Sequence, residues 1–355
     1  MSLPGIVTFL TDSEKGVRIG HEWMADLAHL KGAPNHLLLR APISANSHTN
    51  KVLMDPLIAG MQLCKDTDFK MIPVLHGGMD HSYTLPGKGP EDYPNAVLGF
   101  KGFATLNAYI DAYCASCVST LNALGDLCPD TVYIWNEPNL FACDIQPGDH
   151  TPPSRDDVVG GKTSALAPEV FLSLLYHAAY RIKEQVTDAH GKPRVKHIWP
   201  GTFSLLLKFK TDPKSDWVLG YYERGLQFLA SQGIVAPYPW EGMGLNCEGL
   251  IDVGGGAYVA SALRDFMARW GITGPLTIGE WSVPANRIVE SDMRTTYHEI
   301  DTNFDYHFFF QMPTYKPGDP GSYGCTTWGI SKDGFYVPTG HTAWYELLKK
   351  LYAGK

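Results

Sequence analysis

Val132-Tyr-Ile-Trp-Asn-Glu-Pro-Asn139 is the stretch from which the rest of the chain can be read. Four β-prone residues, Val132, Tyr133, Ile134 and Trp135, end abruptly in Asn136-Glu137-Pro138. Proline has no N–H to give to a sheet ladder, so the strand stops there. Glu137 is then held at the carboxyl end of a buried strand, the position at which barrel enzymes keep their chemistry. A second placement of the same kind occurs at Leu276-Thr-Ile-Gly-Glu280-Trp-Ser-Val-Pro284. Two glutamates, each closing its own apolar strand, meet the chemical requirement for glycoside hydrolysis.

Working outward, short apolar runs at 6–9, 36–40, 70–75, 132–135, 195–199, 242–246, 276–279 and 325–328 give eight candidate strands. Most are near-continuously apolar, as strands covered on both faces should be. Helical patterns lie between them. The clearest covers 168–186, with proline near its first turn and Val170, Leu174, Leu175, Ala178 and Ile182 at helical spacing. Others fall near 20–30, 52–65, 104–124, 216–232, 257–270, 291–311 and 341–352. Eight strands alternating with eight helices predict an α/β fold, a (β/α)8 TIM barrel with long βα loops, as one catalytic domain over 1–355. A doubly wound open sheet is the rival. It would usually carry a glycine-rich phosphate turn after its first strand, and Phe9-Leu-Thr-Asp-Ser13 is not one. The loops at 77–100, 140–167, 201–215, 248–257 and 312–323 are long and rich in Gly, Pro and aromatics. In a barrel they would rise from one rim and wall a cleft around the two glutamates.

The chain has 355 residues, of which 44% are hydrophobic and 19% charged, an ordinary globular balance. A net charge of -8 offers nothing to nucleic acid or to an anionic membrane, so neither is expected as a partner. No apolar stretch approaches the ~20 residues that span a bilayer. Residues 1–20 contain no basic region followed by an apolar stretch, so the expected location is cytoplasmic, or extracellular if a leader has been removed. Seven cysteines leave at least one free thiol, which favours a reducing compartment. Cys114-Ala-Ser-Cys117 has redox or zinc spacing, but it lies inside a helical pattern and reads as a buried structural pair. The thirteen histidines show no His-x-x-x-His spacing, and Gly254 to Gly256 precede no Lys-Ser/Thr. Neither a metal nor a cofactor is therefore expected.

Trp135-Asn-Glu-Pro-Asn139, together with Gly279-Glu280-Trp281 after a late apolar strand, resembles glycoside hydrolase clan A, the retaining β-glycosidases on a (β/α)8 barrel. The resemblance implies that Glu137 is the acid/base and Glu280 the nucleophile, with Asn136 bonding the sugar 2-hydroxyl. A carboxyl separation of about 5 Å would go with retention, and about 6.5 to 9.5 Å with inversion. Arg40, in Leu38-Leu-Arg-Ala-Pro42, resembles the clan's strand-two arginine that braces the nucleophile region. His76, in Val74-Leu-His-Gly77, resembles the strand-three histidine of family 5. The stretch 132–200 resembles family 39 most, with family 5 next. Trp328 would close the last strand, where the clan often keeps a sugar platform, and Trp281 reads equally as platform or core cover. Many members carry a tyrosine after strand six. Here the segment is Gly244-Leu-Asn-Cys-Glu-Gly249, which leaves Asn246 or the distant Tyr258 to take its place and adds Glu248 as a third carboxylate.

The expected partner is thus a carbohydrate, an oligo- or polysaccharide, with no preference read for oligomeric state. Two other readings stand beside hydrolysis: a non-catalytic glycan-binding or structural barrel module, and a clan A transglycosylase.

Overall fold

Leu38 and Arg40 face one way along their strand and Leu39 and Ala41 the other, and that period of two builds the molecule. The computed structural model describes residues 3–8, 11–12, 17–19, 21–31, 37–67, 69–76, 105–138, 166, 168–206, 216–248, 250–283, 289–312 and 324–353. Eight parallel strands, counted one to eight around a barrel, are Leu3–Val7, Leu38–Ser44, Lys70–His76, Thr131–Ile134, His197–Pro200 with Phe203–Leu206, Met243–Glu248, Leu276–Ser282 and Tyr306–Phe309. Each pairs with the next, and the first pairs with the eighth. Strand five is broken at Gly201-Thr202. Its first half bonds to strand four and its second half to strand six, so the chain itself carries the ring across that point.

Alternation sorts the apolar side chains into two cores. Val7, Leu38, Ile72, Tyr133, Trp199 and Phe308 fill the barrel interior. Leu39, Ala41, Val132, Ile134, Leu276 and Ile278 face outward, against helix residues such as Leu57, Val170, Leu174 and Leu263. Full burial of such a side chain is worth about 1.5–3 kcal/mol. The helices are His21–Lys31, Lys51–Asp66, Leu106–Ala123, Pro168–Gln185, Asp216–Ser231, Gly255–Trp270, Glu290–Asn303 and Ala343–Ala353. Their ends have identifiable causes. The Asn50 side chain accepts from Val52 N–H, and Thr105 accepts from Ala108 N–H. Gly271, at φ 67°, closes the helix before it in the left-handed conformation that glycine tolerates. Among the described residues no helix is long and apolar enough to cross a membrane.

One strand assignment needs correction. The eighth barrel strand is Tyr306–Phe309, inside the stretch 291–311 expected to be helical. Met293, Tyr297, Ile300 and Phe304 keep helical spacing to the end of their helix, and Phe308 extends the pattern by chance. Periodicity cannot separate a short aromatic strand from one more helical turn. The run expected to close the barrel belongs instead to Thr326–Ile330, which pairs antiparallel with Phe335–His341. With the short strands Val17–Ile19 and Thr11–Asp12 these form a second, four-stranded sheet, drawn from the segments that follow barrel strands one and eight.

Of the long loops, 77–100 lies wholly outside the described residues. So do most of 140–167, 207–215 and 313–323. The cleft they were expected to wall is not described. The six described cysteines are free thiols. Cys114 and Cys117 are buried in their helix, and burial pushes the Cys114 thiol up to about 12.

Candidate active site

Both glutamate segments break the alternation of their strands at the carboxyl end. In strand four Tyr133 faces inward, so strict alternation would send Trp135 inward too. Instead Trp135 has φ 71° and packs against Tyr113 of helix Leu106–Ala123, 5.6 Å between ring centroids, with His76 stacked on it at 5.1 Å. Glu137 also has positive φ, 44°. Non-glycine residues in this region cost on the order of 1–3 kcal/mol each and cluster where function requires a fixed geometry. In strand seven Ile278 pairs with Leu245 but Glu280 pairs with Asn246, a register shift that makes Gly279 a bulge. Leu276 and Ile278 face outward, so without the bulge Glu280 would face outward as well. The extra residue turns it inward and sends Trp281 out.

One guanidinium joins the two breaks. Arg40 Nη1 donates to Glu280 Oε1 at 2.6 Å, and Arg40 Nη2 donates to Asn136 Oδ1 at 2.5 Å. Nη2 also donates to Thr202 Oγ1 at 3.1 Å, and Thr202 Oγ1 donates to Asn136 Oδ1 at 3.3 Å. Arg40 is fully buried and lies 5.2 Å over the Tyr133 ring, which adds a cation–π contact. Burial pushes the Glu280 carboxyl above the ordinary range, while the Arg40 charge and hydrogen bond pull it back down. A permanently charged guanidinium at this distance favours the carboxylate form.

Three expected residues, Arg40, Asn136 and Glu280, are therefore brought into direct contact. Glu137 follows Asn136 at the same rim, half-buried, its backbone N–H donating to Thr202 O at 2.9 Å. Asn246 is 1% exposed and stands opposite Glu280 in the ladder, and among the described residues neither its Oδ1 nor its Nδ2 has a hydrogen-bond partner. Tyr258, the other residue considered for the strand-six position, is exposed on helix Gly255–Trp270. Glu248 ends strand six. His76 ends strand three, with its ring stacked on Trp135.

Of the two tryptophans, Trp281 takes the second of its two readings and Trp328 departs from expectation. Trp281 is fully buried in the outer core against Phe309 and Trp344, at 5.2 and 6.0 Å, because the bulge aims it there. It is core cover and offers no face to a sugar. Trp328 closes no barrel strand. It lies in the second sheet, buried and edge-on to Tyr336 at 4.4 Å. Thr202 and Gly279 were missed. The only sequence signal for Thr202 is Gly201-Thr202 after a strand. A Cβ on Gly201 would sit 2.8 Å from Trp135 O, so glycine lets strand five press against strand four.

A cavity of about 480 Å³ opens elsewhere, at the amino-terminal mouth of the barrel. It is lined by strand-leading residues including Leu3, Leu38, Lys70, His197 and Tyr306. That mouth is the stabilising end of such barrels, so the buried Arg40 cluster marks the candidate site and the cavity does not. Among the described residues no group of three or more His, Cys, Asp or Glu side chains is arranged to hold a metal ion.

No protein-family model matches the sequence, and no curated protein matches it. Solved structures do resemble it. A β-glucosidase from Exiguobacterium marinum aligns over 99% of this chain and 98% of its own, with TM-score 0.56 and 13% identity. A structure from a study of two fungal β-1,4-galactanases aligns over 98% and 99%, with TM-score 0.54 and 12% identity. A family 39 glycoside hydrolase from Bacteroides cellulosilyticus WH2 aligns over 99% of this chain and 63% of that longer one, with TM-score 0.55 and 10% identity. At these identities the likeness is one of fold, and the chain has the (β/α)8 barrel that these enzymes share.

Proposed function

We propose that the chain is a retaining β-glycoside hydrolase acting as a single catalytic barrel domain. The observation that carries the reading is the Arg40 bridge, which ties the Asn-Glu pair closing strand four to the glutamate closing strand seven. The barrel likeness to a β-glucosidase, a galactanase and a family 39 enzyme supports it.

In this mechanism the Glu280 carboxylate attacks the anomeric carbon, its charge balanced by Arg40. The acid form of Glu137 gives its proton to the departing glycosidic oxygen. Glu137, now a carboxylate, takes a proton from water, which attacks the glycosyl-enzyme and releases Glu280. Asn136 bonds the sugar 2-hydroxyl, a contact that strengthens as the transition state forms. Asn246, with unused hydrogen-bonding capacity beside Glu280, is placed to bind substrate or to orient the nucleophile.

A screen of aryl β-glycosides and β-linked polysaccharides, comparing wild type with Glu137→Gln and Glu280→Ala, tests the assignment. Glu280→Ala should lose turnover at least 1000-fold (about 4 kcal/mol in the activation barrier), and azide should restore product as a glycosyl azide. Full activity of Glu280→Ala on every substrate the wild type cleaves would overturn the reading. Glycan binding with no product from the wild type would favour a non-catalytic module instead.

A further inference from the structure

Thr202 occupies the break in strand five, fully buried, and touches every part of the Arg40 cluster that lies on strand four. Its hydroxyl accepts from Arg40 Nη2 at 3.1 Å and donates to Asn136 Oδ1 at 3.3 Å. Its carbonyl accepts from Glu137 N–H at 2.9 Å, where Glu137 holds φ 44°. The surrounding backbone has given up side chains to seat it. A Cβ on Gly279 would lie 2.3 Å from Thr202 Cγ2 and 2.7 Å from Oγ1. A Cβ on Gly244 would lie 2.7 Å from Cγ2. Two glycines inside adjacent strands weaken the sheet, so the seat for Thr202 is costly to build.

The consequence concerns the Asn136 amide. A guanidinium has donors only, so the Asn136 atom facing Arg40 is the oxygen. The Thr202 hydroxyl donates to that same oxygen. With Oδ1 held by two donors, Nδ2 is turned away from Arg40, and a flip would set N–H groups against Arg40 N–H groups. We propose that Thr202 is a positioning residue: with Arg40 it fixes the Asn136 amide as a hydrogen-bond donor towards the 2-hydroxyl of the sugar, and through its carbonyl it fixes the Glu137 backbone. This rests on the glycosidase reading above. It goes further in making donation to the 2-hydroxyl the property that Thr202 controls.

Thr202→Val keeps the shape and removes the hydroxyl, and Thr202→Ser keeps the hydroxyl. Both are compared with wild type on an aryl β-glycoside and on its 2-deoxy analogue. Thr202→Val should lower the ratio of kcat/KM between the two substrates at least tenfold, mainly through kcat, and Thr202→Ser should restore the ratio to within threefold. A Thr202→Val loss shared equally by both substrates, or no loss on either, would overturn the proposal. Failure of the glycosidase reading is separable, because it appears as no hydrolysis by the wild type or as unchanged hydrolysis by Glu280→Ala. The Asn136 side-chain amide, assigned in nitrogen-15 spectra by its disappearance in Asn136→Asp, then decides the matter without a substrate. Its proton exchange should speed up at least tenfold in Thr202→Val, and unchanged exchange would overturn the proposal.

Discussion

Arg40 Nη1 lies 2.6 Å from Glu280 Oε1, with the two side chains 0% and 7% exposed. The residues are 240 positions apart, on strands two and seven, and meet only because the barrel closes. A pair this buried is weak as a net stabiliser, because desolvating both charges offsets their attraction. Removing one partner is a different matter, since the other charge is then left buried alone.

Arg40→Met should therefore destabilise the protein by about 3–5 kcal/mol near neutral pH. The Glu280 carboxyl, already raised by burial, rises further when the guanidinium goes. A carboxyl whose folded pKa is raised favours folding below its unfolded pKa and loses that contribution as pH climbs through the folded value. The penalty should therefore be largest at neutral pH and shrink towards pH 4. Urea titrations of both proteins at pH 4.5 and 7 measure it, and an equal penalty at the two pH values would contradict the pairing.

Gly279→Ala places a Cβ 2.3 Å from Thr202 Cγ2 and 2.9 Å from Asn246 Oδ1. Overpacking of this kind costs about 1–3 kcal/mol, and displacing Thr202 or Glu280 should cut kcat/KM at least tenfold. Gly329→Ala is the control, since among the described residues its Cβ would meet only Thr339 Cγ2, at 3.4 Å. Its melting temperature and turnover should stay near wild type. Equal effects of the two substitutions would show that the Gly279 bulge is not special.

The fully buried His307 has its pKa lowered to about 3 by burial, which outweighs its contact with Asp301 at 3.2 Å. The folded state thus binds fewer protons than the unfolded chain between pH 6.5 and 3. Stability present above pH 6.5 is lost as pH falls through that window, by on the order of 1 kcal/mol per unit. Chemical denaturation of His307→Gln against wild type should show a shallower acid decline in the variant. Parallel declines would contradict this.

Short apolar runs alternating with helical patterns made most of the barrel legible, and seven of the eight runs overlap barrel strands. The eighth was misplaced because Phe304 and Phe308 continue the helical spacing of Ile300. In the site, Glu137 and Glu280 were legible as carboxylates at strand ends, and Arg40 through its resemblance to the clan's strand-two arginine. Trp281 was ambiguous because one bulge residue at Gly279 decides whether position 280 or 281 faces inward, and a bulge leaves no periodic signal. Thr202 was invisible for a related reason. The threonine gains its role from the strand break that contains it and from Gly244 and Gly279 on strands six and seven, both far from it in sequence.

Residues at the opposite mouth should not touch the chemistry. His197 Nδ1 and Glu241 Oε1 meet there at 2.5 Å beside the 480 Å³ cavity. Glu241→Gln should leave kcat/KM within about twofold and change stability by no more than about 1 kcal/mol, as for other half-exposed pairs. Steady-state kinetics on the best substrate from the screen measures it. A tenfold loss of turnover would place chemistry at that end.

The most direct measurement is trapping with an aryl 2-deoxy-2-fluoro-β-glycoside of the preferred sugar, followed by peptic digestion and mass spectrometry. The inward turn at Gly279 predicts one fluoroglycosyl group per chain, attached to Glu280, with anomeric configuration retained in normal turnover. A label on any other carboxylate, or inverted product from an enzyme that takes no label, would contradict it.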